Sequence, residues 1–91
     1  MMQNLRVEPI FKKDDYIINH SSGDIAIVDK VTPKNYYKFK VYYNAMFDEL
    51  KDVSLSTNDL QVNYQRFFEP CTEEERKHLE EILKAKKESE V

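Results

Sequence analysis

Ninety-one residues with a formal charge of −3 allow one hydrophobic core and no more, and the single Cys71 rules out an intramolecular disulfide. One glycine, Gly23, is too few for a phosphate-cradling nucleotide or dinucleotide loop, and one thiol with two scattered histidines, His20 and His78, does not make a closed zinc site. The expectation is one folding unit over residues 1–91, in a reducing cytoplasm, with no cofactor, no metal and no membrane segment, since no apolar run reaches signal-peptide or membrane-span length.

The charge is unevenly divided. Residues 1–44 carry 7 Lys and Arg against 5 Asp and Glu, and residues 45–91 carry 7 against 12. That sum does not draw the whole chain to nucleic acid, yet it leaves room for a basic face on the first half.

In chain order, Leu5, Val7, Ile10 and Phe11 suit a short edge strand or an ordered arm, interrupted by Pro9. Asp15 to Val31 reads as a β-hairpin about Ser21-Ser22-Gly23-Asp24, where Gly23 takes positive φ without steric cost. In its second strand Ile25, Ile27 and Val31 are expected on one side, with Ala26, Val28 and Lys30 on the other. Thr32-Pro33-Lys34-Asn35 is the next turn, followed by a strand over Tyr36 to Tyr43. Period two places Tyr37, Phe39, Val41 and Tyr43 in the core and Tyr36, Lys38, Lys40 and Tyr42 toward water. Asn44-Ala45-Met46 reverses the chain into a strand over Phe47 to Leu55, bulged between Leu50 and Val53. Ser56 to Leu60 suits a single helical turn, and Gln61 to Tyr64 a last short strand. Thr72 and Glu75 then form a capping box, Glu73, Glu74 and Glu75 complement the positive end of a helix dipole, and Lys84, Lys86 and Lys87 the negative end. This predicts a helix over 72–88 that docks through Leu79, Ile82 and Leu83.

The succession hairpin, long strand, strand, helical turn and short strand over Asp15 to Tyr64 is similar to the SH3-like barrel family, in which a helical turn precedes the fifth strand. Phe11-Lys12-Lys13-Asp14-Asp15-Tyr16-Ile17 at one end and Thr72-Glu73-Glu74-Glu75-Arg76 at the other resemble small uncharacterised SH3-like barrel proteins of gut bacteria and their phages. The resemblance implies a mainly β (α+β) fold, a five- to six-stranded SH3-like barrel over 15–64 with a C-terminal amphipathic helix. Asp14 stands where that pattern usually has glycine. The acidic and aromatic pocket residues of proline-peptide-binding SH3 domains are missing, so that mode of recognition is not expected.

The most suggestive surface is the stripe Tyr36, Lys38, Lys40 and Tyr42, joined by Lys30 and Lys34. Tyrosine rings that stack on bases and lysines that follow phosphates suit single-stranded nucleic acid, if the helix leaves Tyr36 and Tyr42 uncovered. A second surface is acidic: Asp48, Glu49, Asp52, Asp59 and Glu69 with Glu73, Glu74, Glu80 and Glu81, of the kind that imitates DNA toward a host enzyme. Cys71 precedes the helix, where amides favour a thiolate, but no base stands at a defined spacing. His20 and His78 read as surface residues. Asp14 and Asp15 are neighbours on a strand entry that point to opposite faces and share no substrate. The reading is therefore a non-catalytic protein-interaction or structural module, not an enzyme, able to form homo-oligomers. Its rivals are a single-strand nucleic-acid binder and an acidic phage-type inhibitor of a host enzyme.

Overall fold

The computed structural model describes residues 7–89. Six strands form one antiparallel sheet: β1 (Tyr16–Ile18), β2 (Ile25–Val31), β3 (Tyr36–Asn44), β4 (Glu49–Leu50), β5 (Leu60–Gln61) and β6 (Glu69–Pro70). The helix α1 (Glu73–Ser89) follows. Among the described residues, no helix is long and apolar enough to cross a membrane.

The path runs β4-β3-β2-β1-β6, and β5 pairs with the opposite end of β3 from β4. It ends at β4 and β6 and does not close into the expected barrel. The closing strand is too short: β6 pairs with β1 over two residues, one of them Pro70, which has no N–H to extend a ladder.

The β1–β2 hairpin forms as the sequence predicts. Gly23 sits at φ +83 and donates its N–H to the Asn19 carbonyl at 2.6 Å, while the Asn19 N–H returns to the Asp24 carbonyl at 2.8 Å. At the β2–β3 turn, Asn35 takes the left-handed conformation, φ +69, which asparagine tolerates better than most residues. The capping box of α1 is also present, with the Thr72 N–H on Glu75 Oε1 at 2.8 Å and the Glu75 N–H on Thr72 Oγ1 at 3.2 Å.

Both faces of the sheet are covered. Ile17, Ala26, Val28, Tyr37 and Phe39 form one core with Phe11, Val62 and Phe68. Ile18, Ile25, Ile27 and Tyr43 form the other, against Leu79 of α1, with Ile82 and Leu83 half-buried beside it. The helix docks through the three residues its sequence marks.

The expected alternation along β2 and β3 breaks at two bulges. Ile27 pairs with Val41 and Val28 with Phe39, leaving Lys40 unpaired, and Lys30 pairs with Lys38, leaving Asp29 unpaired. Each extra residue shifts the period by one position. Tyr37 and Phe39 therefore face the first core while Val41 and Tyr43 face α1, and Tyr42 joins the first core instead of pointing to water. Val31 likewise lies with Ala26 and Val28, away from Ile25 and Ile27.

Three further expectations are corrected. The strand over Phe47 to Leu55 shrinks to Glu49–Leu50, because Asp52 organises a turn: its carbonyl accepts the Leu55 N–H at 3.2 Å and the Asn58 side chain at 2.7 Å, and its carboxylate takes the Ser54 N–H at 3.0 Å. After the single 3-10 turn Ser56–Asn58, which matches the sequence reading, β5 covers Leu60–Gln61, and Val62–Phe67 coil into a second 3-10 helix. Val62 and Gln65, three residues apart, are its buried pair, as that helix's period of three requires. Finally, residues 7–13 run across the sheet without forming a strand, and Leu5 lies outside the described residues.

That arm is held by polar groups. Buried Gln65 receives the Tyr37 hydroxyl proton and the Ile10 N–H (3.0 Å) at Oε1, and its Nε2 donates to the Glu8 carbonyl at 2.8 Å. The Tyr37 oxygen also accepts the N–H groups of Ile10 at 3.0 Å and Phe11 at 3.2 Å. The Tyr37 and Phe11 rings meet at 5.8 Å between centroids.

Candidate functional site

The structure disperses the Tyr/Lys stripe. Tyr42 packs on Phe39, ring centroids 5.4 Å apart, and its hydroxyl donates to Asp24 Oδ2 at 2.8 Å. Burial, then Asp24, push this phenol far above its ordinary pKa. Asp24 Oδ1 accepts the Ala45 N–H at 3.0 Å, so Tyr42 is part of the brace between two hairpins and no stacking platform. Lys38 donates to the Val53 carbonyl at 3.2 Å and lies 3.5 Å from Asp59. Lys40, on its bulge, pairs with Asp14, whose carboxylate it holds below the usual range.

Lys30, Lys34 and Tyr36 remain. Lys30 and Lys34 are exposed, and Tyr36 is half-buried with its hydroxyl accepting from Gln61 Nε2 at 3.0 Å. Lys34 and Tyr36 line an open notch of about 540 Å³ with Thr32, Pro33, Ser56, Thr57 and Asp59. The helix does not cover Tyr36 or Tyr42; it lies over Tyr16, Val41 and Tyr43.

The acidic surface is partly spent on internal contacts. Asp48 Oδ1 accepts the Tyr43 hydroxyl at 2.6 Å, Asp59 faces Lys38, Glu80 accepts the Tyr16 hydroxyl at 3.3 Å, and Glu73 lies 3.9 Å from Lys77. Asp52 carries the turn described above, and its carboxyl is held below the usual range, first by the Ser54 side chain.

Cys71 is half-buried, and its backbone N–H binds the Tyr16 carbonyl at 2.9 Å. Burial, then the charge of Glu75, push its thiol up to about 11, the opposite of an activated nucleophile. His20 is no idle surface residue: Nδ1 lies 2.6 Å from Glu69 and Nε2 3.0 Å from Glu75. Among the described residues, no group of three or more His, Cys, Asp or Glu side chains is placed to hold a metal ion.

The feature that sequence reasoning passed over is the β3–β4 tip. Met46 and Phe47 stand 79% and 68% exposed, and Leu50 of β4, paired with Tyr43, is also exposed. The tip is braced by hydrogen bonds, one of them from α1. The Phe47 N–H donates to Asn44 Oδ1 at 3.1 Å, Asp48 adopts φ +50, and Lys86 of α1 donates to the Asp48 carbonyl at 2.9 Å. The available signal was an adjacent Met and Phe flanked by turn-forming Asn44 and Asp48, where polar residues are the ordinary choice.

Comparison with known proteins finds no family model, no curated protein and no solved structure that matches the chain.

Proposed function

We propose that this chain is a non-catalytic protein-interaction module whose contact surface is the β3–β4 tip. The observation that carries the reading is the pair Met46 and Phe47, held out side by side on an ordered turn. Single exposed apolar residues are ordinary; two large ones adjacent in the chain on a hydrogen-bonded turn are what a partner would cover. The candidate reactive groups support the non-catalytic part: the Cys71 thiol is raised to about 11, and Asp14 is tied to Lys40. The helical turn Ser56–Asn58 just before β5 supports classing the sheet as an opened SH3-like arrangement.

The notch beside Lys34 and Tyr36 favours a second reading, in which one base of a single strand rests on Tyr36 and Lys34 meets its phosphate. One experiment separates the two. Affinity capture from the native host compares the wild type with Met46→Asp/Phe47→Asp and with Lys34→Ala/Tyr36→Ala. A protein retained by the wild type and lost only on the first variant supports the tip; a salt-sensitive nucleic acid lost only on the second supports the notch. Identical recovery from all three chains refutes both.

A further inference from the structure

Each ring nitrogen of His20 faces a carboxylate, Nδ1 at 2.6 Å from Glu69 Oε1 and Nε2 at 3.0 Å from Glu75 Oε2. A neutral imidazole has one N–H and one lone pair, so it donates to one carboxylate and turns a lone pair on the other. Only the imidazolium donates to both. The two acids come from different elements, Glu69 from β6 and Glu75 from the first turn of α1, while His20 lies just past the end of β1. One proton thus ties together three segments at a corner where the ladder between β1 and β6 is two residues long. Glu75 serves two tasks there, accepting the capping Thr72 N–H at Oε1 and facing His20 Nε2 with Oε2.

We propose that His20 is a protonation-controlled clasp: as imidazolium it fastens β6 and the N-terminus of α1 to the end of β1, and on losing its proton it lets one of them go. Glu75 from α1 and Glu69 from β6 are the charged groups that face the ring, and both favour its protonated form, Glu75 more strongly. The raised pKa fixes the sign. The clasp contributes fully below the ordinary histidine value of about 6.5 and is lost as pH rises through the higher folded value. On the acid side it is lost once either carboxylate takes a proton; the Thr72 amide and then His20 hold Glu75 below the usual carboxylate range. α1 also runs on to Lys86 and the Asp48 carbonyl at the β3–β4 tip, but the clasp stands whether or not that tip binds a partner.

The test is an NMR titration of the His20 ring and the backbone amides of the full chain from about pH 5 to about pH 9, spanning the histidine range. It uses the wild type, Glu69→Gln, Glu69→Gln/Glu75→Gln and His20→Gln. Gln at 75 keeps the capping box, so the variant removes charge and not the cap. The His20 midpoint is expected to fall with each Glu→Gln step, because each removes a carboxylate that favours the imidazolium. The Cys71 and Arg76 amides are expected to move with the same midpoint in the wild type and to stay still in His20→Gln. Equal midpoints in wild type and Glu69→Gln, or Cys71 and Arg76 amides that ignore the His20 titration, overturn the clasp. Glu69 is exposed, so its single variant answers the question even if the double variant fails to fold.

Discussion

The two faces of the sheet are closed by different chemistry. On one, the arm over residues 7–13 contributes a single deeply buried side chain, Phe11, and is fastened by hydrogen bonds that converge on Tyr37 and Gln65. On the other, α1 contributes Leu79, Ile82 and Leu83, and its polar contacts sit at the rim: Tyr16 with Glu80, the Arg76 guanidinium 4.6 Å over the Tyr16 ring, His20 with Glu75, and Lys86 with Asp48. The arm itself buries one ring beside Val62 and Phe68, so directional bonds in a dry site hold it; the helix buries a stripe and leaves its charges in water.

The largest effect that separates the faces is expected from Leu79→Ala. Leu79 is fully buried at the centre of the helix contact, and its truncation costs about 2–5 kcal/mol by denaturant unfolding. Next comes Tyr37→Phe, which removes a buried hydroxyl that accepts from Ile10 and Phe11 and donates to Gln65. A loss of about 1–3 kcal/mol is expected, with faster proteolysis of the arm and unaltered docking of α1. The reverse pattern, a loosened helix and a protected arm, would break the comparison. Gly23→Ala is third: it forces an L side chain to φ +83 with its Cβ 3.2 Å from the Ala45 Cβ, at about 1–2 kcal/mol in the same measurement. Met46→Asp/Phe47→Asp is smallest, within about 0.5 kcal/mol of the wild type, because these side chains support neither face. A larger loss would show that the tip belongs to the helix-side core.

The helix-side cover was more legible in the sequence than the arm-side one, for a physical reason. α1 announces itself locally: Thr72 and Glu75 cap it, glutamates and lysines mark its ends, and Leu79, Ile82 and Leu83 share a stripe. The β1–β2 hairpin is equally local, through Gly23. The arm-side cover depends on partners far apart in the chain, Ile10 with Gln65 and Tyr37, which no spacing rule joins, and Gln65 looks like any surface glutamine until Tyr37 meets it. The inward placement of Tyr42 is illegible for another reason: Tyr36 to Tyr43 alternates well enough to suggest a regular strand, and nothing in its composition marks Lys40 as the residue that drops out of the ladder. The tip is not legible in the sequence because Phe47 suits the start of a longer strand, and only the Asp52 turn ends that strand at Glu49–Leu50.

The bulges at Asp29 and Lys40 have a consequence for how this sheet tolerates length change. Both residues are supernumerary: pairing on either side of them keeps a common register, Ile25 with Tyr43 at one end and Val31 with Tyr37 at the other. A chain shortened by Lys40 would keep Tyr37, Phe39 and Tyr42 under the arm and Val41 and Tyr43 under the helix, losing only the local bend and the tie to Asp14. Removing Tyr37 instead would slide an aromatic out of one core with no spare residue to take its place. Deletions within the strands of this hairpin should therefore be survived at these two positions and rejected at the paired residues beside them.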